Sequence, residues 1–143
     1  MLNFSRIRQS GILPFRVQDG DLWVLLVTSL ETQRWIVPKG RLEPGLTACE
    51  SAEYEAFEEA GVAGRLETAS IGSYRYKKRP EKGGAWCLVR VFPMEVEREF
   101  DEYPHAGLRT RKWMPIAEAA KTVDDAELGE LILKFGESRG EST

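Results

Sequence analysis

Several residue types that carry common enzyme chemistry are scarce in this sequence of 143 residues. His105 is the only histidine, so a Ser-His-Asp triad would have to use it, and zinc would lack its usual histidine and cysteine ligands. Cys49 and Cys87 are the only cysteines, and they have no metal-binding spacing. We expect both to be buried free thiols in a reducing cytosol, which predicts a cytoplasmic protein.

Long hydrophobic runs are also missing. No apolar stretch approaches the roughly 18 residues of a membrane span, and the segment from Met1 to Arg6 lacks the apolar core of a signal peptide. The net charge of −3 argues against general nucleic-acid binding. We therefore expect neither a membrane nor a nucleic acid as a partner, and the oligomeric state stays open.

Composition and length predict one globular domain. The hydrophobic share of 42% and the charged share of 30% are those of a soluble globular protein. A chain of 143 residues is long enough to bury a real core. We expect a single domain over residues 1–143, with its core at about 10–135 and a polar, frayed tail at 137–143.

Periodicity and turn residues predict a mixed α/β domain. Asp19-Gly20 is a strong hairpin signal, and Pro115 can open a short helix that extends to Thr122. A C-terminal helix is indicated by an apolar stripe made of Leu128, Leu131, Ile132 and Phe135. A loop is predicted at 39–46, and strands are predicted at 10–17, 22–29, 35–37, 66–76, 85–95 and 108–114.

The segment from Leu42 to Gly64 contains six glutamates and no lysine or arginine. Thr47-Ala48-Cys49-Glu50 fits a capping box, and Gly61 fits a left-handed C-terminal cap, so the residues between them are predicted to form one helix. This acidic helix is unusual because nothing cationic within it balances the glutamates.

Three of these glutamates, Glu55, Glu58 and Glu59, are spaced i, i+3 and i+4, which places their carboxylates on one helix face. Like-charge pairs at those spacings destabilise a helix by roughly 0.2–0.5 kcal/mol each. A helix tolerates this most easily when a cation binds from outside, and a divalent metal is the simplest candidate. A solvated acidic face is the alternative interpretation.

The spacing of these residues resembles the Nudix box, G-x5-E-x7-R-E-U-x-E-E-x-G-U, where U is aliphatic. Gly40 precedes the three glutamates by 15, 18 and 19 positions, and Gly61-Val62 closes the pattern. Residues 34–38 and 111–113 resemble flanking segments of the diphosphoinositol polyphosphate phosphohydrolase branch, so the resemblance spans about 10–135. It implies a Nudix-type α/β/α sandwich, with a mixed sheet and the catalytic helix packed beside it.

The resemblance also implies a metal site and a reaction. Glu55, Glu58 and Glu59 would be the metal-binding carboxylates, with the Gly40 carbonyl as a further ligand. Hard Mg²⁺ or Mn²⁺ would suit these oxygen ligands, and Glu58 or Glu59 would be the general base toward water. Some members add an acidic residue from a later loop, for which the candidates are Glu99, Asp101 and Glu102.

Two box positions depart from the pattern. Leu46 stands where glutamate is expected, and Tyr54 stands where arginine is expected. The ion pair of typical members is therefore absent as a whole, so neither charge is left unpaired. An apolar contact between Leu46 and Tyr54 could support the same loop.

A basic loop suggests a polyphosphorylated substrate. Five cations lie between Arg75 and Lys82, although such a loop is as often plain surface. The predicted substrate-binding residues are Lys39, Arg34, Lys77, Lys78, Arg79 and Arg111, with Arg16 and Arg109 as weaker candidates. Three aromatic residues could stack on a base but are more often core: Tyr74, Tyr76 and Trp86.

The expected function is metal-dependent hydrolysis of a diphosphate bond in a polyphosphorylated small molecule. Diphosphoinositol polyphosphates, diadenosine polyphosphates and inorganic polyphosphate are favoured as substrates. A nucleoside triphosphate or nucleotide-sugar pyrophosphatase is the alternative among enzymes. A non-catalytic Nudix domain that binds a phosphorylated ligand, or an acidic interaction module without a ligand, would not turn over a substrate.

Overall fold

A computed structural model describes residues 7–140 of the chain. The predictions for Met1 to Arg6 and for the end of the tail, 141–143, lie outside the described residues. The strands are β1 (Ile7–Gln18), β2 (Asp21–Thr28), β3 (Trp35–Ile36), β4 (Lys39–Arg41), β5 (Val62–Leu66), β6 (Gly72–Lys77), β7 (Trp86–Glu99) and β8 (Arg111–Pro115). The helices are α1 (Ala48–Ala60), α2 (Ile116–Thr122) and α3 (Ala126–Ser138), with a 3₁₀ turn at Pro80–Lys82.

The eight strands of the described part form one mixed sheet with the central order β3-β2-β1-β7-β5. β1 pairs parallel with β7 and antiparallel with β2, while β4, β6 and β8 pair with β1, β7 and β2. Asp19 (φ 53°) and Gly20 (φ 81°) form the β1–β2 turn, where two positive φ values fit the predicted Asp-Gly hairpin.

Helices cover both faces of the sheet. Along β1, Ile12 packs in the cluster on the α1 side, whereas Leu13 packs in the cluster that contains the α2 and α3 residues. The predicted stripe of α3 is confirmed by its burial in that second cluster. The α/β/α sandwich is confirmed, and no helix within residues 7–140 is long and apolar enough to cross a membrane.

The single strand predicted at 66–76 is wrong, because the chain forms β5 and β6 with a break at 67–71. Both strands pair with β7, and Pro93 of β7 lies opposite the break, where its carbonyl accepts a hydrogen bond from the N–H of Glu67 at 3.0 Å. The carbonyl and the N–H of a strand residue point to the same side. Because proline has no N–H, Pro93 cannot donate a hydrogen bond back to Glu67, and the hydrogen-bond ladder with β7 is interrupted there.

Three other predicted boundaries are also corrected. The predicted loop at 39–46 begins with strand β4, which pairs with β1. The strand predicted from Leu108 begins at Arg111, because Leu108 lies in a turn where its N–H bonds to the His105 carbonyl at 2.9 Å. α3 continues through Ser138, so the first two residues of the predicted frayed tail are helical.

Candidate active site

The acidic helix α1 begins and ends where its caps predict. The hydroxyl of Thr47 accepts from the Glu50 N–H at 3.1 Å, and the Glu50 carboxylate accepts from the Thr47 N–H at 2.8 Å. Gly61 ends the helix in the left-handed conformation (φ 64°, ψ 40°). A Cβ at Gly61 would also lie 2.3 Å from the Tyr103 ring, so this position excludes any side chain.

The three glutamates of α1 do not share one environment. Glu55 and Glu59 are buried, at 8% and 7% exposure, on the side where the helix packs against the sheet. The Glu58 side chain is 27% exposed and points toward the loop after β7. Glu58 is therefore the most exposed of the three carboxylates, although its charge still acts on Glu55.

Strand β4 positions the two buried carboxylates. The Glu55 carboxylate lies against the backbone of Gly40, where a Cβ would come within 2.2 Å of its Oε2. The N–H of Lys39 donates to Glu59 Oε1 at 3.1 Å. The missing side chain of Gly40 therefore leaves space for the Glu55 carboxylate, and the backbone of the neighbouring Lys39 holds Glu59.

Burial makes both carboxyl groups reluctant to ionise. Burial first, and then the charges of Glu59 and Glu58, raises the pKa of Glu55 to about 7. Burial also raises the pKa of Glu59, although Arg109 and Lys39 oppose that rise. The charge of Glu59 contributes to the raised pKa of Glu55, so a cation bound beside the two carboxylates would relieve the repulsion between them.

The donor chemistry of this pair suits a hard divalent cation. Within residues 7–140, no three His, Cys, Asp or Glu side chains are arranged closely enough to hold a metal ion by themselves. Mg²⁺ is commonly bound through one or two carboxylates, with waters and substrate phosphates completing its shell. Glu55 and Glu59 fit that arrangement, and the Gly40 cradle supports it, while the more exposed Glu58 stays a predicted ligand.

Tyr54 and Leu46, which replace the charged pair of the box, are 50% and 43% exposed. Neither belongs to the two buried clusters of the described residues. Tyr54 is instead directed at Glu58, whose charge and hydrogen bond raise the pKa of the tyrosine hydroxyl. The aromatic residue in the arginine position therefore lies near Glu58, the most exposed of the three carboxylates.

Arg109 connects the outer loop to the buried glutamates. Its side chain is only 8% exposed and donates to Glu59 Oε2 at 3.3 Å, to His105 Nδ1 at 2.8 Å and to the Thr28 carbonyl at 3.0 Å. From the sequence alone, Arg109 is only a weak candidate for substrate binding, and no site role is expected for His105. In the sequence, the four-residue spacing of His105 and Arg109 suggests that the two side chains could meet. It does not show that their loop packs against α1.

A basic cleft opens beside the buried glutamates. Its volume is about 370 Å³, and its floor includes Tyr76, whose hydroxyl donates to Gln9 at 2.9 Å and whose ring lies 4.5 Å from the Lys39 ammonium. Burial lowers the pKa of Lys39, while the charge of Glu59 opposes this. Seven cations line the cleft: Arg34, Lys39, Lys77, Lys78, Arg79, Lys82 and Arg109.

Glu31 is the only carboxylate that lines the cleft in the described part of the chain. It forms an ion pair with Arg79 and another with Lys82, whose ammonium is 2.7 Å away. These contacts join the β2–β3 loop to the basic loop across the cleft. They also lower the pKa of Glu31, with the Lys82 hydrogen bond as the largest cause.

Other predicted site residues lie away from the cleft. Arg111 donates to the carbonyls of Ala60 and Gly61 at 2.8 and 3.3 Å, so in the structure it caps the end of α1 and does not line the cleft. Glu99 accepts from the Trp113 indole at 2.8 Å and pairs with Arg16. The remaining predicted candidates outside the cleft lining are Asp101, Glu102 and Trp86, which are exposed, and Tyr74, which is buried in the core.

Comparison with known proteins identifies the family. The NUDIX domain profile matches residues 6–135. The chain is 30% identical to "Nudix hydrolase 21, chloroplastic" of Arabidopsis thaliana over 132 residues, which are 87% of this chain and 64% of the relative. It is 26% identical to the asymmetrical bis(5'-nucleosyl)-tetraphosphatase of Caenorhabditis elegans over 135 residues, covering 90% of this chain and 94% of that protein.

The fold agrees with this match. A crystal structure of a C. elegans Ap4A hydrolase binary complex superposes with a TM-score of 0.74 over 95% of this chain and 99% of the other, at 23% identity. The chain spans less than two thirds of the length of the first two curated relatives, at 64% and 63%. With a family profile covering almost all of its described residues, the chain belongs to the Nudix hydrolase family.

Proposed function

We propose that this protein hydrolyses a diphosphate bond in a polyphosphorylated small molecule with the help of a divalent metal. The observation that carries the proposal is the contact between cleft and helix at Lys39. The backbone N–H of Lys39 holds Glu59, while its ammonium lines a cleft with six other cations. A substrate whose phosphates fill the cleft would therefore meet the carboxylate pair at its end.

Glu55, Glu59 and the Gly40 carbonyl would hold Mg²⁺ or Mn²⁺, which supplies charge neutralisation on the phosphates and a lowered pKa of bound water. The cations of the cleft bind the phosphate groups of the substrate and orient its polyphosphate chain. Arg109 and the Lys39 N–H fix Glu59 from two sides. A glutamate that is free of such anchoring is left to accept the proton of the attacking water.

The favoured substrates are diadenosine polyphosphates and diphosphoinositol polyphosphates. Both carry several negative charges, which the seven cleft cations can balance although the chain as a whole has a net charge of −3. The tetraphosphatase name of the C. elegans relative supports the first group. Tyr76, on the cleft floor, offers an aromatic edge for a nucleobase.

Two alternatives remain within the family. A nucleoside triphosphate or nucleotide-sugar pyrophosphatase would use the same carboxylates with fewer of the cleft cations. A non-catalytic Nudix domain would bind the phosphorylated ligand in the cleft without turnover. Leu46 and Tyr54 support the non-catalytic alternative, because these substitutions remove the ion pair that supports the box loop in typical members.

A phosphate-release screen with Mg²⁺ and Mn²⁺ tests the proposal. The substrates are diadenosine tetraphosphate, a diphosphoinositol polyphosphate, nucleoside triphosphates and nucleotide sugars, each with a chelator control. We expect turnover that depends on metal and is fastest on one of the first two. Tight binding by calorimetry without turnover on any substrate would favour the non-catalytic alternative.

A further inference from the structure

The segment after β7 docks on the C-terminal end of α1 through its backbone. The N–H of Phe100 donates to the Gly61 carbonyl at 2.8 Å, and the N–H of His105 donates to the Glu58 carbonyl at 3.0 Å. The rings of Phe57 and Phe100 pack edge to face, with centroids 5.4 Å apart. These contacts satisfy carbonyls that a helix end leaves without partners and give His105 a fixed place beside Glu58.

The orientation of the His105 ring follows from its contact with Arg109. The guanidinium has donors only, so in the 2.8 Å contact with Arg109 Nε the imidazole Nδ1 must be the acceptor. The ring proton of this tautomer is on Nε2, which faces Glu58 Oε1 at 3.9 Å. That distance exceeds a direct hydrogen bond, and a small rotation of the glutamate would close it.

Arg109 therefore acts on both adjacent glutamates of α1, Glu59 and Glu58. It binds Glu59 directly and fixes the ring that faces Glu58. Glu59 is buried and held by two donors, whereas Glu58 is 27% exposed and is approached by His105 and Tyr54. The two adjacent glutamates are thus held in different ways, one as a fixed carboxylate and one as a carboxylate with room to move.

We propose that His105 is a positioning residue for Glu58, the box glutamate that the proposed function leaves free to accept the proton of the attacking water. This inference rests on the proposed hydrolase function. The water oxygen forms a bond to phosphorus as its proton passes to Glu58, and the phosphoanhydride bond breaks with its electron pair on the leaving phosphate. Arg109 acts on both glutamates, by holding Glu59 and by orienting the His105 ring.

The test compares kcat and KM for His105→Ala alone and in a Glu58→Gln background, on the substrate selected by the phosphate-release screen. Loss of a partner that orients an active group typically costs about 10–100-fold in activity. We expect His105→Ala to lower kcat by about 10-fold or more with KM unchanged. In the Glu58→Gln background it should lower kcat no further, because the group on which it acts is already lost.

Conservative substitutions separate positioning from packing. His105→Gln can keep a donor near the place of Nε2, whereas His105→Asn keeps an acceptor near the place of Nδ1 and loses that donor. We expect the kcat order wild type, His105→Gln, His105→Asn. Leu108→Ala is the matched control in the same turn, since Leu108 is 63% exposed, and it should keep wild-type kinetics.

Several outcomes would overturn the inference. They are wild-type kcat in His105→Ala, a loss in kcat of equal size in both backgrounds, and a His105→Asn variant as active as His105→Gln. If His105→Ala does not fold, the comparison of His105→Gln with His105→Asn decides alone. A wild-type protein without turnover on any substrate would instead overturn the proposed function, and this inference with it.

Discussion

Glu55 is a buried carboxyl group whose charge is balanced by no cation of its own within the described residues. Its pKa in the folded protein is raised to about 7 from the ordinary 4.5, with burial as the main cause. A raised pKa means that the folded state holds a proton that the unfolded state releases. The stabilisation is present below about pH 4.5 and is lost as pH rises through about 7.

The first prediction concerns this pH dependence. We expect the free energy of unfolding of the metal-free protein to fall as pH rises from about 4.5 to about 7, and Glu55→Gln to remove most of that fall. Added Mn²⁺ should restore stability at pH 8 in the wild type but much less in the variant. Thermal melts in chelator and in Mn²⁺ measure both effects.

Glu53→Gln is the control for that measurement, because Glu53 is exposed on the same helix. It should keep the wild-type pH dependence. An identical pH profile for Glu55→Gln and the wild type would contradict the pKa argument.

The second prediction concerns Gly40. A Cβ there would lie 2.2 Å from the Glu55 carboxylate, so Gly40→Ala must displace either the glutamate or the strand. Misplacement of a reacting group by about 1 Å can cost on the order of 100-fold in rate, and we expect a loss of that order in kcat. Arg41→Ala, an exposed position on the same strand, is the control and should keep kcat. Equal activity of Gly40→Ala and Arg41→Ala would show that the cradle is not needed.

At the scale of residues, the sequence was enough to find the glutamates but not their separate environments. Helical spacing places Glu55, Glu58 and Glu59 on one arc, whereas burial depends on where the helix meets the sheet. The roles of His105 and Arg109 depend on a loop 40 or more residues later in the chain that docks on the helix end. No local pattern contains that information.

At the scale of elements, the predictions succeeded where the determinants are local. The caps of α1 and the Asp-Gly turn between β1 and β2 depend on neighbouring residues, and both are confirmed. β4 has only three residues, too few for an alternating pattern that would predict a strand, and it forms because it pairs with β1. The break between β5 and β6 depends on Pro93 of another strand, which is equally remote from local patterns.

The third prediction concerns the basic loop as an element. Replacing Lys77, Lys78 and Arg79 together by alanine should raise KM about 10-fold or more for the most highly charged substrate. A less charged diphosphate should be affected less, because fewer of its groups reach the loop. Steady-state kinetics on both substrates measures the difference.

Glu31→Gln provides the opposite change for that experiment. It removes the ion pairs that Glu31 forms with Arg79 and Lys82, so we expect it to lower KM for the highly charged substrate. If the triple variant and the wild type have the same KM on every substrate, the loop is solvated surface and does not bind phosphates.

At the scale of the whole molecule, charge is distributed unevenly. The chain has a net charge of −3, yet seven cations line one cleft, and two of them, Lys39 and Arg109, also hold the buried Glu59. The sheet creates this arrangement, because β4 carries Lys39 and Gly40 next to α1 while β6 leads into the basic loop. This uneven charge is the basis for the proposal that the cleft binds a polyphosphorylated substrate.

The most direct test of the account is the metal-dependent turnover of Glu58→Gln and Glu59→Gln beside the wild type. With saturating Mg²⁺ or Mn²⁺ on the substrate of the wild-type protein, we expect each variant to lose about 10²–10⁴-fold in kcat while its thermal melt stays cooperative. Glu53→Gln should keep wild-type turnover, and excess chelator should abolish it. Full activity of both variants, or full wild-type turnover in chelator, would contradict the proposed role of α1.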